Sequence, residues 1–132
     1  MSGAAEVVMT EPASKLRIEE RQIDDVTVLK LAGEMVVDDG DIAFGKHVDR
    51  LVEQARVKIV INLSEVTYID SAGVGMMVAE SKLVRQHGGV MKLAHLSRRS
   101  HRLLATMRLM TVFDVFDDEA SAVRSFAWGL RP

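Results

Sequence analysis

Cysteine is absent from this chain of 132 residues. That excludes disulfides, thiolate catalysis and cysteine-ligated zinc, and it allows a reducing compartment. Aromatic residues are scarce at 5%, so Leu, Ile, Val, Met and Ala must fill the core. No apolar run approaches the roughly 20 residues that span a bilayer. No basic start followed by an apolar stretch marks a signal peptide, and Ser2 breaks the N-myristoylation pattern. A cytoplasmic location with no membrane partner is therefore expected. Neither charge sign dominates: 17 basic against 19 acidic residues leave a net charge of −2. Such a chain has no overall field to gather nucleic acid, and no direct nucleic-acid partner is expected.

What is present is the balance of a soluble globular domain, 48% apolar and 27% charged, with a length that fits one core. Residues 1–14 show no periodicity and read as a flexible N-terminal tail, leaving residues 15–132 as the domain. Leu16, Ile18 and Glu20 share one face of a strand, Asp24-Asp25 reads as a hairpin turn, and Val26, Val28 and Leu31 begin a second strand closed by Gly33-Glu34. Asp38 to Asp41 reads as a loop, with Asp41 as helix cap. Phe44, Val48, Leu51, Val52 and Ala55 then recur at helical spacing. Val57 to Leu63 is an apolar run of strand length, the mark of burial on both faces of a parallel sheet. Ser64 to Asp70 reads as a loop or short extended link.

A second helix presents Val74, Met77, Val78, Ser81 and Val84 and ends at Gly88-Gly89. Val90 to Leu96 is a strand, and Ser97 caps a third helix carrying Leu103, Leu104 and Met107 inward. Val112 to Phe116 is a last strand. Asp117-Asp118-Glu119 opens a closing helix with Ala122, Val123, Phe126 and Ala127 on its apolar side. The expected fold is α/β in the order β-β-α-β-α-β-α-β-α, a mixed, mainly parallel sheet of four to five strands with about four helices.

Chemistry concentrates in Tyr68-Ile69-Asp70-Ser71-Ala72-Gly73-Val74-Gly75. This stretch follows the most buried strand and opens a helix, and ligands of open α/β sheets bind at the carboxyl ends of strands. Ser71 stands at or next to the helix cap, where it could simply cap the helix. Gly73 and Gly75 favour a second reading. Each glycine in a helix costs roughly 1 kcal/mol relative to alanine, a cost that makes sense if the surface around the Ser71 hydroxyl must stay open. A phosphate there would face helix N–H groups and add about −1.5 to −2 charge without unfolding the domain.

The run Asn62-Leu63-Ser64-Glu65-Val66-Thr67-Tyr68-Ile69-Asp70-Ser71-Ala72-Gly73-Val74-Gly75 resembles the signature of STAS domains, and more narrowly of bacterial anti-anti-sigma factors, also called anti-sigma factor antagonists. The likeness extends from about Leu16 to Phe126. It takes in Leu31-Ala32-Gly33-Glu34, Gly88-Gly89 and Val112-Phe113-Asp114-Val115-Phe116. The resemblance implies that the unphosphorylated chain binds an anti-sigma factor, itself a serine kinase, and so frees a sigma factor. It implies that phosphorylation of Ser71 ends binding and that a serine phosphatase resets the chain. Asp70, Ala72, Gly73, Gly75, Met76 and Asp38 would then contact the partner, with Met76 pointing largely outward near Ser71. No cofactor, metal or catalytic residue is implied. Two positions depart from the family pattern. Val36 stands where the family often has an aspartate, which Asp38 could replace. Arg108 stands where a glycine commonly ends the third helix, so a different turn is expected there.

Two rival readings remain. One keeps the fold as a non-phosphorylated scaffold subunit of a stress-signalling or lipid-transport complex. The other is an enzyme using Asp70 and Ser71, for which no sequence-adjacent base, metal cluster or phosphate cradle is visible. Asp38, Asp39 and Asp41 lack calcium-loop spacing. His47, His87, His95 and His101 lack metal spacing. Arg98, Arg99, His101 and Arg102 form a basic cluster at a helix start, read as a solvated face or as a rim for an acidic partner.

Overall fold

The computed structural model of the chain describes residues 6–8 and 14–129. Its elements run β1 (Glu6–Val8), β2 (Leu16–Ile23), β3 (Val26–Met35), α1 (Gly40–Glu53), β4 (Lys58–Ile69), α2 (Ser71–Gln86), β5 (Val90–Ala94), α3 (Arg98–Thr106), β6 (Asp114–Phe116) and α4 (Glu119–Gly129). The strands lie side by side in chain order in one sheet. The pairs β1–β2 and β2–β3 are antiparallel. The pairs β3–β4, β4–β5 and β5–β6 are parallel, joined by α1, α2 and α3. The α/β class and element order expected from the sequence hold.

The sheet has six strands among the described residues, one more than expected. The addition is β1, from the segment read as a loose tail. Val7 and Val8 pair with Glu19 and Ile18, which occupies the open edge of β2. Positions 1–5 and 9–13 of that segment lie outside the described residues, as do 130–132.

The sheet separates two cores. On one face Leu29, Leu31, Ile59, Ile61, Leu63 and Leu93 meet Phe44 and Val48 of α1, Val74 and Met77 of α2, and Leu104 of α3. On the other, Val26, Val28, Val60 and Ala94 meet Ala122 and Phe126 of α4. The central strand β4 therefore buries successive residues on opposite faces, as its unbroken apolar run requires. Of the apolar side expected for α4, Val123 is half-buried and Ala127 exposed.

Several local expectations change, among them the strand expected over Val90 to Leu96, which ends at Ala94. Ser64 to Ile69 is the continuation of β4, not a loop. Register shifts between Lys30 and Ala32 and between Gly33 and Glu34 let the ladder with β3 continue to Met35 and Ile69. The last strand is Asp114–Phe116 alone, with Phe113 buried just before it. Met107 is exposed, because α3 rests on the core through Leu104. Asp41 is not the cap of α1: Asp39 holds that position, and Asp41 Oδ1 accepts from the N–H groups of Asp39 and Ile42 at 3.1 and 2.8 Å.

Three helices end in one geometry. At α1 the N–H of Ala55 donates to Val52 O and that of Arg56 to Leu51 O. At α2 Gly88 donates to Arg85 O and Gly89 to Val84 O. At α3 Arg108 donates to Ala105 O and Leu109 to Leu104 O. This closure needs a left-handed residue just past the helix. Gly88 takes it at φ +85°, but Ala55 and Arg108 take it at φ +59° without being glycine. The turn after α3 is thus the usual one, contrary to the expectation drawn from Arg108, and the arginine bears its strain.

Candidate functional site

β4 delivers Ile69 to the carboxyl edge of the sheet, and the chain turns there into α2. Asp70 is the cap residue. Its backbone is extended (φ −100°, ψ −179°), and its Oδ1 accepts the N–H of Gly73 at 2.9 Å, satisfying one of the unpaired donors of the first turn. Its Oδ2 accepts the N–H of Val37 at 3.0 Å, and its own N–H donates to Met35 O at 3.3 Å. One carboxylate therefore holds the loop between β3 and α1 against the mouth of α2. Asp70, expected to touch a partner, also braces the site.

Ser71 is the first residue of the helix and is exposed. Its hydroxyl makes no hydrogen bond among the described residues. Capping, the plain role open to it, belongs to Asp70. The two glycines separate in function. Gly73 is buried, and a Cβ there would lie 2.4 Å from Met35 O and 2.9 Å from Ile69 Cγ1. Backbone packing demands that glycine. Gly75 is exposed, and a Cβ there would meet nothing within 4 Å. It stands one turn after Ser71 on the same helix face, where packing makes no demand for glycine.

Ala72 is half-buried. Met76 is also half-buried and not largely outward: it packs on α1, where a Cβ on Gly45 would come 3.0 Å from its Sδ. Asp38 is exposed and left-handed (φ +59°), in the loop that Asp70 holds through Val37, itself 55% exposed.

A cleft of about 470 Å³ adjoins Ser71, lined by Tyr68, Ile69, Asp70, Ser71, Arg99, Arg102, Leu103 and Thr106. Of the basic cluster on α3, Arg99 and Arg102 reach this cleft, whereas Arg98 and His101 do not line it. The sequence carried the signal: 99, 102, 103 and 106 follow the i, i+3, i+4, i+7 spacing of one helix face. Arg99 lies over the Tyr68 ring, 4.7 Å from its centre.

Between α1 and α2 lies a buried acid that sequence reasoning missed. Glu80 is 7% exposed and its Oε1 has no hydrogen-bond partner among the described residues. Burial, and then the neighbouring Asp49, push its carboxyl up to about 8. His47 is also buried. Burial pulls its imidazole below the usual value, against the hydrogen bond that its Nε2 shares with Glu20 Oε1 at 2.7 Å. No group of three or more His, Asp or Glu suited to a metal occurs among the described residues. No helix of theirs is long and apolar enough to cross a membrane.

The family model described as STAS domain matches residues 17–122. The anti-sigma F factor antagonist of Paenibacillus polymyxa is 28% identical over 109 residues, 82% of this chain and 92% of that protein. The anti-sigma-B factor antagonist of Bacillus subtilis is 30% identical over 100 residues, 76% of this chain and 90% of that protein. The fold is similar to that of the Bacillus cell fate determinant SpoIIAA in its phosphorylated form. The TM-score is 0.61 at 17% identity, over 92% of this chain and 99% of that one.

Proposed function

The chain belongs to the STAS domain family, and from that premise we propose that it is an anti-sigma factor antagonist switched at Ser71. Unphosphorylated, it binds an anti-sigma factor with serine kinase activity and so frees a sigma factor. The kinase transfers the terminal phosphoryl group of ATP to Ser71 Oγ, ADP leaves, and the hydroxyl proton is lost. The added charge ends binding, and a serine phosphatase hydrolyses the ester. The chain acts as substrate and ligand, not as catalyst.

The observation that carries this reading is the Ser71 hydroxyl, exposed at a helix mouth and free of side-chain duty because Asp70 supplies the cap. Two relatives are named antagonists of anti-sigma factors, and SpoIIAA has a phosphorylated form; both facts support it. Asp38, Ala72, Gly75 and Met76 offer surface to the partner. Gly73 and Asp70 contribute by setting the shape of that surface.

The test pairs the chain with an anti-sigma kinase from the same genome, with ATP, and maps phosphate by mass spectrometry. Phosphate is expected on Ser71. Ser71→Ala should bind and resist modification, and Ser71→Asp should bind at least tenfold more weakly, since each 1.4 kcal/mol is a factor of ten. Phosphate on another residue, or equal binding by both variants, refutes the proposal.

A further inference from the structure

The cleft beside Ser71 has a wall that the switch reading leaves unused. Arg99 and Arg102 stand on α3 with Leu103 and Thr106, and together they face Tyr68, Ile69, Asp70 and Ser71 across it. Neither arginine makes an ion pair among the described residues. Asp70 is the one carboxylate lining the cleft, and both of its oxygens are taken by backbone N–H groups, Oδ1 by Gly73 and Oδ2 by Val37. The cleft therefore holds two uncompensated cations next to an unpartnered hydroxyl at the positive end of a helix.

We propose that a phosphate on Ser71 is captured within the same molecule by Arg99 and Arg102. This rests on the reading of Ser71 as the phosphoacceptor. A phosphoserine carries about −1.5 to −2 charge and three acceptor oxygens. A guanidinium offers a planar fork of donors that matches two of those oxygens, and paired forks on a dianion are among the strongest hydrogen-bonded contacts of side chains. Tyr68 already positions Arg99 over its ring, which reduces the freedom lost on capture.

Capture changes what phosphorylation does. The cleft fills, and the basic wall of α3 is withdrawn from any acidic partner that used it. The off state then arises from the loss of a recess and of two cations as well as from the new charge. An aspartate at position 71, shorter and singly charged, would reproduce only part of this.

The test needs no kinase. Phosphoserine is installed at position 71 during synthesis, and its second ionisation is followed by 31P NMR from pH 4 to 8. It is measured in the otherwise native chain and in an Arg99→Gln, Arg102→Gln background. Both arginines are exposed, and a heteronuclear NMR spectrum checks that the variant keeps its fold. The second pKa of the phosphate should lie about 0.5–1 pH unit lower with the arginines present. Identical values in the two backgrounds overturn the capture. The two proposals fail separately. An uncaptured phosphate with a kinase that still modifies Ser71 removes the capture and keeps the switch. Phosphate mapped elsewhere by the kinase removes the switch, whatever the NMR shows.

Discussion

Replacing Arg108 by glycine should make this protein more stable, although it deletes a whole side chain. Arg108 is exposed, makes no ion pair among the described residues, and sits at φ +59° to close the turn after α3. A left-handed residue that carries a Cβ costs about 1–2 kcal/mol. Glycine avoids that cost but loses more freedom on folding, which returns about 0.5–1 kcal/mol. The net gain is about 0.5–1 kcal/mol. Ala55, in the same geometry after α1, should respond to glycine by a similar amount. The two sites close different helices, so the double variant should gain about 1–2 kcal/mol, or roughly 3–8 °C for a domain of this size. Arg108→Ala is the control, since alanine keeps the Cβ and should leave stability within about 0.5 kcal/mol. Gly88→Ala is the reverse experiment and should destabilise. Urea unfolding at neutral pH reads all five, with the midpoint moving and the slope constant. A lower midpoint for Arg108→Gly, or a gain of equal size for Arg108→Ala, would show that backbone strain is not what the arginine contributes.

The two site glycines should part company. Gly73→Ala should destabilise by several kcal/mol, because Met35 O stands 2.4 Å from the new Cβ, whereas Gly75→Ala should stabilise by about 1 kcal/mol and weaken binding to the anti-sigma factor. Chemical unfolding and a binding titration check both, and unimpaired binding by Gly75→Ala would show that this surface makes no contact. Asp70→Ala should cost about 1–2 kcal/mol through the lost cap, measured by calorimetry, while Asp70→Asn, which keeps an acceptor oxygen, should cost less. Glu80 binds its proton more tightly in the folded chain, near 8, than unfolded. The folded state therefore holds more protons between pH 4.5 and 8, and stability falls as pH rises through that window. A drop of roughly 2 kcal/mol or more is expected, and Glu80→Gln should flatten it in urea melts taken at pH 5 and pH 8.

The order of strands and helices was readable because apolar periodicity switches cleanly between the two repeats. Val57 to Leu63 announces a strand buried on both faces, and Phe44, Val48 and Leu51 announce a helix. The same rule truncated β4, since Ser64, Glu65, Thr67 and Tyr68 are exposed and only the bulged ladder with β3 keeps them extended. β1 was hidden for a related reason: three residues gain their structure from the strand they join. The place of Ser71 at the opening of α2 was legible from its motif, but the division of labour around it was not. Which of Asp70 and Ser71 caps the helix, and which glycine is packed, depends on Met35 and Val37, more than thirty residues earlier in the chain. Glu80 shares the helix face of Met77, Ser81 and Val84, and a charged letter on an apolar stripe reads as solvent-facing until α1 is laid across it.

The double grip of Asp70 bears on speed. A platform whose two halves are already clasped by one side chain would need no segment to fold or come undone if the neighbouring Ser71 were esterified as proposed. The proposed phosphate on Ser71 would then act through its charge and the side chains it draws in, with no backbone segment to refold. Under the proposed switch, the lifetime of the signal would follow how often a kinase and a phosphatase reach Ser71.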